Sequence, residues 1–126
     1  GHHALTHHND DLSMIEQVIQ INIWEMTQFA AFLDKMRAVD EGEGTLLDHT
    51  AVLFLSSMGD GYKHLNYDLP VILAGRAGGA LSPGTHTMYS DHRPIADPYL
   101  ALFGVLGLDL YEFGADGTTP LEGLGG

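Results

Sequence analysis

The chain has no cysteine and only five basic residues against seventeen acidic ones, and nowhere does it run apolar for the length needed to cross a bilayer. Each scarcity removes a class of function. Without cysteine there is no disulfide framework, no thiolate metal site and no cysteine nucleophile. A formal charge of −12 repels phosphate backbones and removes the electrostatic attraction that nucleic-acid binding relies on. No stretch of about 18 consecutive apolar residues is present, which excludes a membrane-spanning helix, and no basic start followed by an apolar centre marks a signal peptide. An acidic surface attracts cations, although it more often serves only solvation.

The remaining composition describes a globular chain. Its 126 residues are enough for one domain with a core of its own, 44% of them are apolar, and 16 glycines announce tight turns and close backbone approaches. The chain has no initiating Met and opens within a motif, so it is expected to be a fragment of a larger protein.

Four of the eight histidines lie in the opening Gly1-His-His-Ala-Leu-Thr-His-His8. Neutral imidazole is the commonest protein ligand for transition metals, and His3 with His7, or His3 with His8, has the reach to share one ion. Thr6 could orient one ring through a hydrogen bond. A Gly-His-His start also resembles the remnant of a purification tag. Tags are unbroken histidine runs, however, whereas here Ala4, Leu5 and Thr6 separate two pairs and Asn9-Asp10-Asp11 opens a helix behind them.

From Asn9 to about Ala38, Leu12, Ile15, Ile19, Ile23, Met26, Ala30 and Leu33 recur at steps of three and four, widened by Val18, Phe29 and Met36. This predicts one long amphipathic helix, capped by Asn9, Asp10 or Asp11 or by a Ser13/Glu16 capping box, with Asn22 within its apolar face. Its length suits packing along a large sheet. Asp40 to Thr45 breaks it with two glycines. Ala51–Leu55 and Pro70–Ala74 are continuous apolar runs that read as buried strands. A turn follows at Gly75–Ala80, and a second helix is predicted from near Pro94 to about Leu106, ended by Gly107. The fold class is therefore α/β, a sheet flanked by helices with one long N-terminal helix. The domain plan is a histidine motif over 1–8, the long helix over 9–38, two core strands with a site loop over 51–75, a helix over 94–107 and an irregular tail over 108–126.

Chemistry is expected beyond the end of the first strand, in Ser56 to Asp68. There Gly59-Asp-Gly-Tyr-Lys-His64 can turn sharply enough to present Asp60 and His64 to one point. Lys63, Asn66 and Asp68 read as ordinary loop solvation, as do His86 and His92.

The ordered series His3-Ala-Leu-Thr-His7-His8, a long helix, Glu43-Gly-Thr-Leu-Leu-Asp48, Met58-Gly-Asp-Gly-Tyr-Lys-His64, Asp68-Leu-Pro-Val-Ile-Leu-Ala-Gly75 and Phe113-Gly114 resembles the C-terminal part of the HXXSHH family of uncharacterised bacterial proteins. Thr6 stands where that name has Ser, and Tyr62-Lys63 where Asn-Arg is expected. More distantly, the order of elements resembles the metal-dependent half of the alkaline-phosphatase-like and sulfatase-like superfamily, with His3-x-x-x-His7 in place of its Asp-x-x-x-His segment. That superfamily's Asp-His-Gly motif is replaced here by Ser57-Met58-Gly59.

The resemblance implies the C-terminal portion of an alkaline-phosphatase-like sandwich in a periplasmic or extracellular hydrolase of phosphate or sulfate esters. A divalent metal, Zn²⁺ first, would be held by His3, His7, His8, Asp60 and His64, with His8 and His64 also available to catalysis. The nucleophile would come from the remainder of the parent protein, its N-terminal half. The competing expectation is a non-catalytic exported or cell-surface protein whose histidines serve metal binding or structure.

Overall fold

The computed structural model describes residues 1–123, and the last three positions of the 108–126 tail lie outside the described residues. Among the described residues the chain is mixed α/β: α1 (His2–Thr6), α2 (Leu12–Arg37), α3 (Leu46–His49), β1 (Ala51–Leu55), β2 (Val71–Gly75), a 3₁₀ turn (Ala77–Gly79) and α4 (Ala96–Val105). Among the described residues no helix is long and apolar enough to cross a membrane.

α2 is the long helix that the periodicity predicts, 26 residues and about 39 Å from end to end. Asp11 is its cap, with Oδ1 accepting from the backbone N–H groups of Ser13 and Met14 at 2.8 and 3.1 Å. Ser13 and Glu16 are therefore inside the helix and form no capping box. Lys35 and Arg37 occupy the last turn, where cations suit the helix dipole.

The packed stripe differs from the expected one. Ile15, Val18, Ile21, Phe29, Leu33 and Met36 are covered wholly or in part, whereas Leu12, Ile19, Ile23, Met26 and Ala30 are exposed. Asn22 is exposed too, not a buried amide. The helix is apolar over a wider arc than its neighbours cover, and the seating of Phe29 on Phe54, with ring centroids 4.8 Å apart, selects which arc is used.

β1 and β2 form a two-stranded antiparallel sheet in the register Ala51↔Gly75, Leu53↔Leu73, Leu55↔Val71. The second strand begins one residue later than expected, because Pro70 has no N–H to give the ladder. Neither strand is fully buried: β1 is half-covered along its length, and Val71 and Ile72 are exposed. α3, which hydrophobic patterning does not reveal, is a single turn set by a reciprocal Thr45/Asp48 capping box and packed between α2 and the sheet. Gly75, at φ +93°, closes the far end, where a Cβ would lie 2.1 Å from the Thr50 carbonyl oxygen.

Among the described residues the buried hydrophobic ones are few: Met36, Leu81, Ala96, Leu100 and Ala101. Three of them belong to α4, which ends as predicted, with Gly107 at φ +79° and paired bonds from Gly107 N to Gly104 O and Leu108 N to Phe103 O. The tail is better anchored than expected. Phe113 packs on Tyr99 and Phe103, and Gly117 is buried against Ala96. Asp97, 2% exposed, accepts from Arg93 Nε and Nη2 on one oxygen and from the Thr119 N–H on the other.

Candidate metal centre

α1 and the loop after β1 meet to form a cluster of imidazoles. The helical turn of α1 puts His3 and His7 four residues apart on one side, with ring centroids 4.7 Å apart and planes at 76°. His7 caps that helix, and its ring lies 4.9 Å from the ring of His64 at 50°. His3, His7 and His64 thus form a chain of neighbours with His7 in the middle. With metal–nitrogen bonds of 2.0–2.1 Å, two imidazoles on one tetrahedral ion have centroids roughly 5 Å apart. Both separations fit that spacing. Among the described residues no three His, Asp or Glu side chains already converge in ligand geometry. Binding would therefore require the rings to rotate.

The loop that carries His64 is built to bend. Asp60 and Leu65 form an isolated bridge, Gly59 N–H donates to Leu65 O, and His64 adopts φ +52°. Gly59 has no room for a side chain, since a Cβ would lie 2.2 Å from the Tyr67 carbonyl oxygen. Asp60 Oδ1 accepts from the backbone N–H groups of Tyr62 at 2.8 Å and Lys63 at 3.1 Å. The Lys63 N–H is the main reason that the Asp60 carboxyl is held below the usual aspartate value; partial burial opposes this, while the Tyr62 N–H, the Lys63 charge and His8 reinforce it. Asp60 therefore shapes the loop first.

Because its folded pKa is depressed, Asp60 supports the loop above the ordinary aspartate range, and that support is lost only as pH falls through the lowered value. In a pH titration followed by NMR, the Lys63 amide shift is expected to move with a midpoint below that of an unperturbed aspartate. A midpoint at or above it would contradict this hydrogen bond.

His8 stands apart from the three clustered rings. Its Nδ1 accepts from the Asp10 N–H at 3.1 Å, which leaves Nε2 to carry the proton of the neutral ring, and its ring lies 5.1 Å from that of Tyr62. The Tyr62 hydroxyl donates to Asn9 Oδ1 at 2.6 Å, across 53 positions of sequence, and ties the α1–α2 junction to the loop. Thr6 orients no ring: its hydroxyl donates to the His3 carbonyl at 2.8 Å, and its Cβ faces Gly61.

A Cβ on Gly61 would meet Thr6 Cβ at 3.0 Å. Gly61→Ala is therefore expected to push α1 off the loop and weaken metal binding about tenfold, the low end of the loss seen when a ligand's supporting contacts are disturbed. Metal titration would measure the loss, and far-UV circular dichroism would show the helices intact.

Of the five expected metal residues, the structure brings His3, His7 and His64 together, turns His8 towards Tyr62 and commits one oxygen of Asp60 to the backbone. Lys63, Asn66 and Asp68 are exposed, as loop solvation predicts, and His86 is exposed in the long loop before α4. His92 packs by its edge against Tyr67, with centroids 5.7 Å apart. The Tyr62–Asn9 clasp escapes sequence reasoning because no spacing rule links such distant positions. No family model, no curated protein and no solved structure matches this chain.

Proposed function

We propose that this chain forms the histidine-bearing wall of a metal-dependent ester hydrolase of the sulfatase or phosphatase-like type, exported to the bacterial periplasm or cell exterior. The observation that carries the reading is the position of the His7 ring, 4.7 Å from His3 and 4.9 Å from His64. Three neutral imidazoles and no thiolate suit Zn²⁺ or another histidine-preferring divalent ion. Held by these rings, such an ion would supply Lewis-acid polarisation of the ester.

The chain's own residues have distinct parts. His3, His7 and His64 would hold the cation, and the Asp60 loop bonds and the Tyr62–Asn9 bond keep the loop against α1. His8, with Nδ1 engaged by the backbone, presents its Nε2–H to donate a hydrogen bond to the leaving-group oxygen. The HXXSHH-like motif series supports assignment to an alkaline-phosphatase-like sandwich, in which the nucleophile belongs to a polypeptide segment beyond these motifs.

A second reading, non-catalytic metal binding on a retained scaffold, is favoured by the segment after β1. There the Ser56 hydroxyl donates to the Met58 carbonyl at 2.8 Å, and Ser57-Met58 offers no carboxylate or imidazole where the superfamily has both. Turnover of aryl phosphate and aryl sulfate by the intact metal-loaded protein tests the choice. Hydrolysis lost in His7→Ala supports the first reading, metal binding without turnover supports the second, and a protein that neither binds metal nor turns over ester contradicts both.

A further inference from the structure

We infer that α1 is a hinged strap and that the Tyr62 hydroxyl is its latch. Tyr62 is then a positioning residue: it touches no cation, yet it sets how tightly the histidine cluster takes one, a consequence that rests on the metal reading proposed above.

α1 does not hold itself in place. It is five residues long and buries none of them; Gly1 to Ala4 are exposed, and Leu5 to His8 are only partly covered. A helix so short has too few internal bonds to persist alone. Its placement therefore depends on the turn behind it and on the loop in front of it. Asn9 and Asp10 carry the chain from α1 into α2 at φ +47° and +62°, two consecutive left-handed residues of which neither is glycine. Asn and Asp tolerate this region better than other side chains do, but it is not their preferred one. Such backbone persists only where surrounding contacts hold it.

Two of those contacts are local and move with the turn: the Asp10 N–H donates to His8 Nδ1 and the Asp11 N–H to the His8 carbonyl. The contact that fixes the hinge to the body of the chain is the Tyr62 hydroxyl, which donates to Asn9 Oδ1 at 2.6 Å. Once the hinge is held, Thr6 comes to rest on Gly61. His3 and His7 ride on α1, while His64 belongs to the loop that carries Tyr62, so only the closed strap brings the three rings together. The apparent affinity of the cluster then scales with the closed fraction, and cation binding in turn favours the closed form.

Tyr62→Phe keeps the ring beside His8 and removes only the hydroxyl. In the metal-free full chain it is expected to weaken the nuclear Overhauser contact between the Thr6 side chain and the Gly61 α-protons. Co²⁺ affinity is expected to fall about fivefold, the factor that one net hydrogen bond supplies. Asn9→Gly keeps a left-handed backbone without the acceptor and is expected to act in the same direction. Because both variants cut one bond, the double variant is expected to lose less than the two single losses combined. A Thr6–Gly61 contact that weakens in Tyr62→Phe, in a chain that takes up no Co²⁺ even unaltered, would support the latch and overturn the metal reading alone. A contact unchanged in Tyr62→Phe, or losses that add in full in the double variant, would overturn the latch.

Discussion

Replacing His7 with Ala is expected to lower the affinity for Zn²⁺ or Co²⁺ by about a hundredfold or more, while the metal-free chain melts where the unaltered one does. The asymmetry follows from geometry. His7 is the one ring adjacent to both of the others, so its removal leaves His3 and His64 without a shared neighbour. The ring is half-exposed at the end of α1 and anchors no core, so its loss costs the fold little. His3→Ala and His64→Ala each leave one adjacent pair and are expected to lose less. His8→Ala is expected to leave the affinity nearly unchanged and, if the intact protein turns over ester, to reduce turnover. Isothermal titration across the four variants separates the ligands from His8. Equal losses at His7 and His8 would mean that the ligand set is wrong.

Asp97→Ala carries the largest expected cost in stability, about 3–5 kcal/mol, the range for removing one partner of a buried ion pair. Its carboxylate is 3% exposed and receives two bonds from the Arg93 guanidinium, at 3.0 and 2.9 Å, and one from the Thr119 N–H. Removing it takes both carboxylate bonds from the guanidinium and one from the Thr119 N–H, and so loosens the tail that Arg93 Nη2 also holds through the Thr119 carbonyl at 2.8 Å. For a domain of this size the cost corresponds to a fall in melting temperature of roughly 10–20 °C. Replacing both partners with apolar residues, Arg93→Met with Asp97→Leu, is expected to recover part of the loss, since no buried charge is then left alone. A fall of only a degree or two in Asp97→Ala would show that the tail is held by its Phe113 and Gly117 contacts instead. Metal affinity should be unaffected by either variant, because this clasp joins α4 to the tail and shares no residue with the histidine cluster.

Local signals in the sequence were legible where one physical rule dominates. The apolar run Ala51–Leu55 is β1 residue for residue, and Gly107 ends α4 through the left-handed backbone that only glycine adopts without strain. α2 was legible in extent to within a turn at its start, but not in orientation. Its apolar arc is wide enough that periodicity alone allows several stripes, and the choice falls to the contact between Phe29 and Phe54. α3 was hidden because four residues make no period, and its Thr45/Asp48 capping box is the one local sign of it.

In the candidate site, the four-residue spacing of His3 and His7 was readable, and the turn potential of Gly59-Asp60-Gly61 marked the loop that delivers His64. The division of labour was not. Asp60 has the composition of a ligand, but two backbone N–H groups claim one of its oxygens, and His8 has the same identity as His7 but faces Tyr62. Such differences depend on which backbone atoms come within hydrogen-bonding distance, and spacing does not encode them. The i, i+4 pair Arg93 and Asp97 was a sign that could have been used, since that spacing on a helix start joins opposite charges.

The central claim is that His3, His7 and His64 hold one divalent cation, and a Co²⁺ titration of the full chain followed by visible absorption tests it most directly. The account predicts saturation at one ion per chain, with the intense visible bands of a four-coordinate, nitrogen-ligated centre, and loss of those bands in His7→Ala but not in His8→Ala. A chain that leaves Co²⁺ with the spectrum of the aqueous ion, or that develops the same bands without His7, would contradict it.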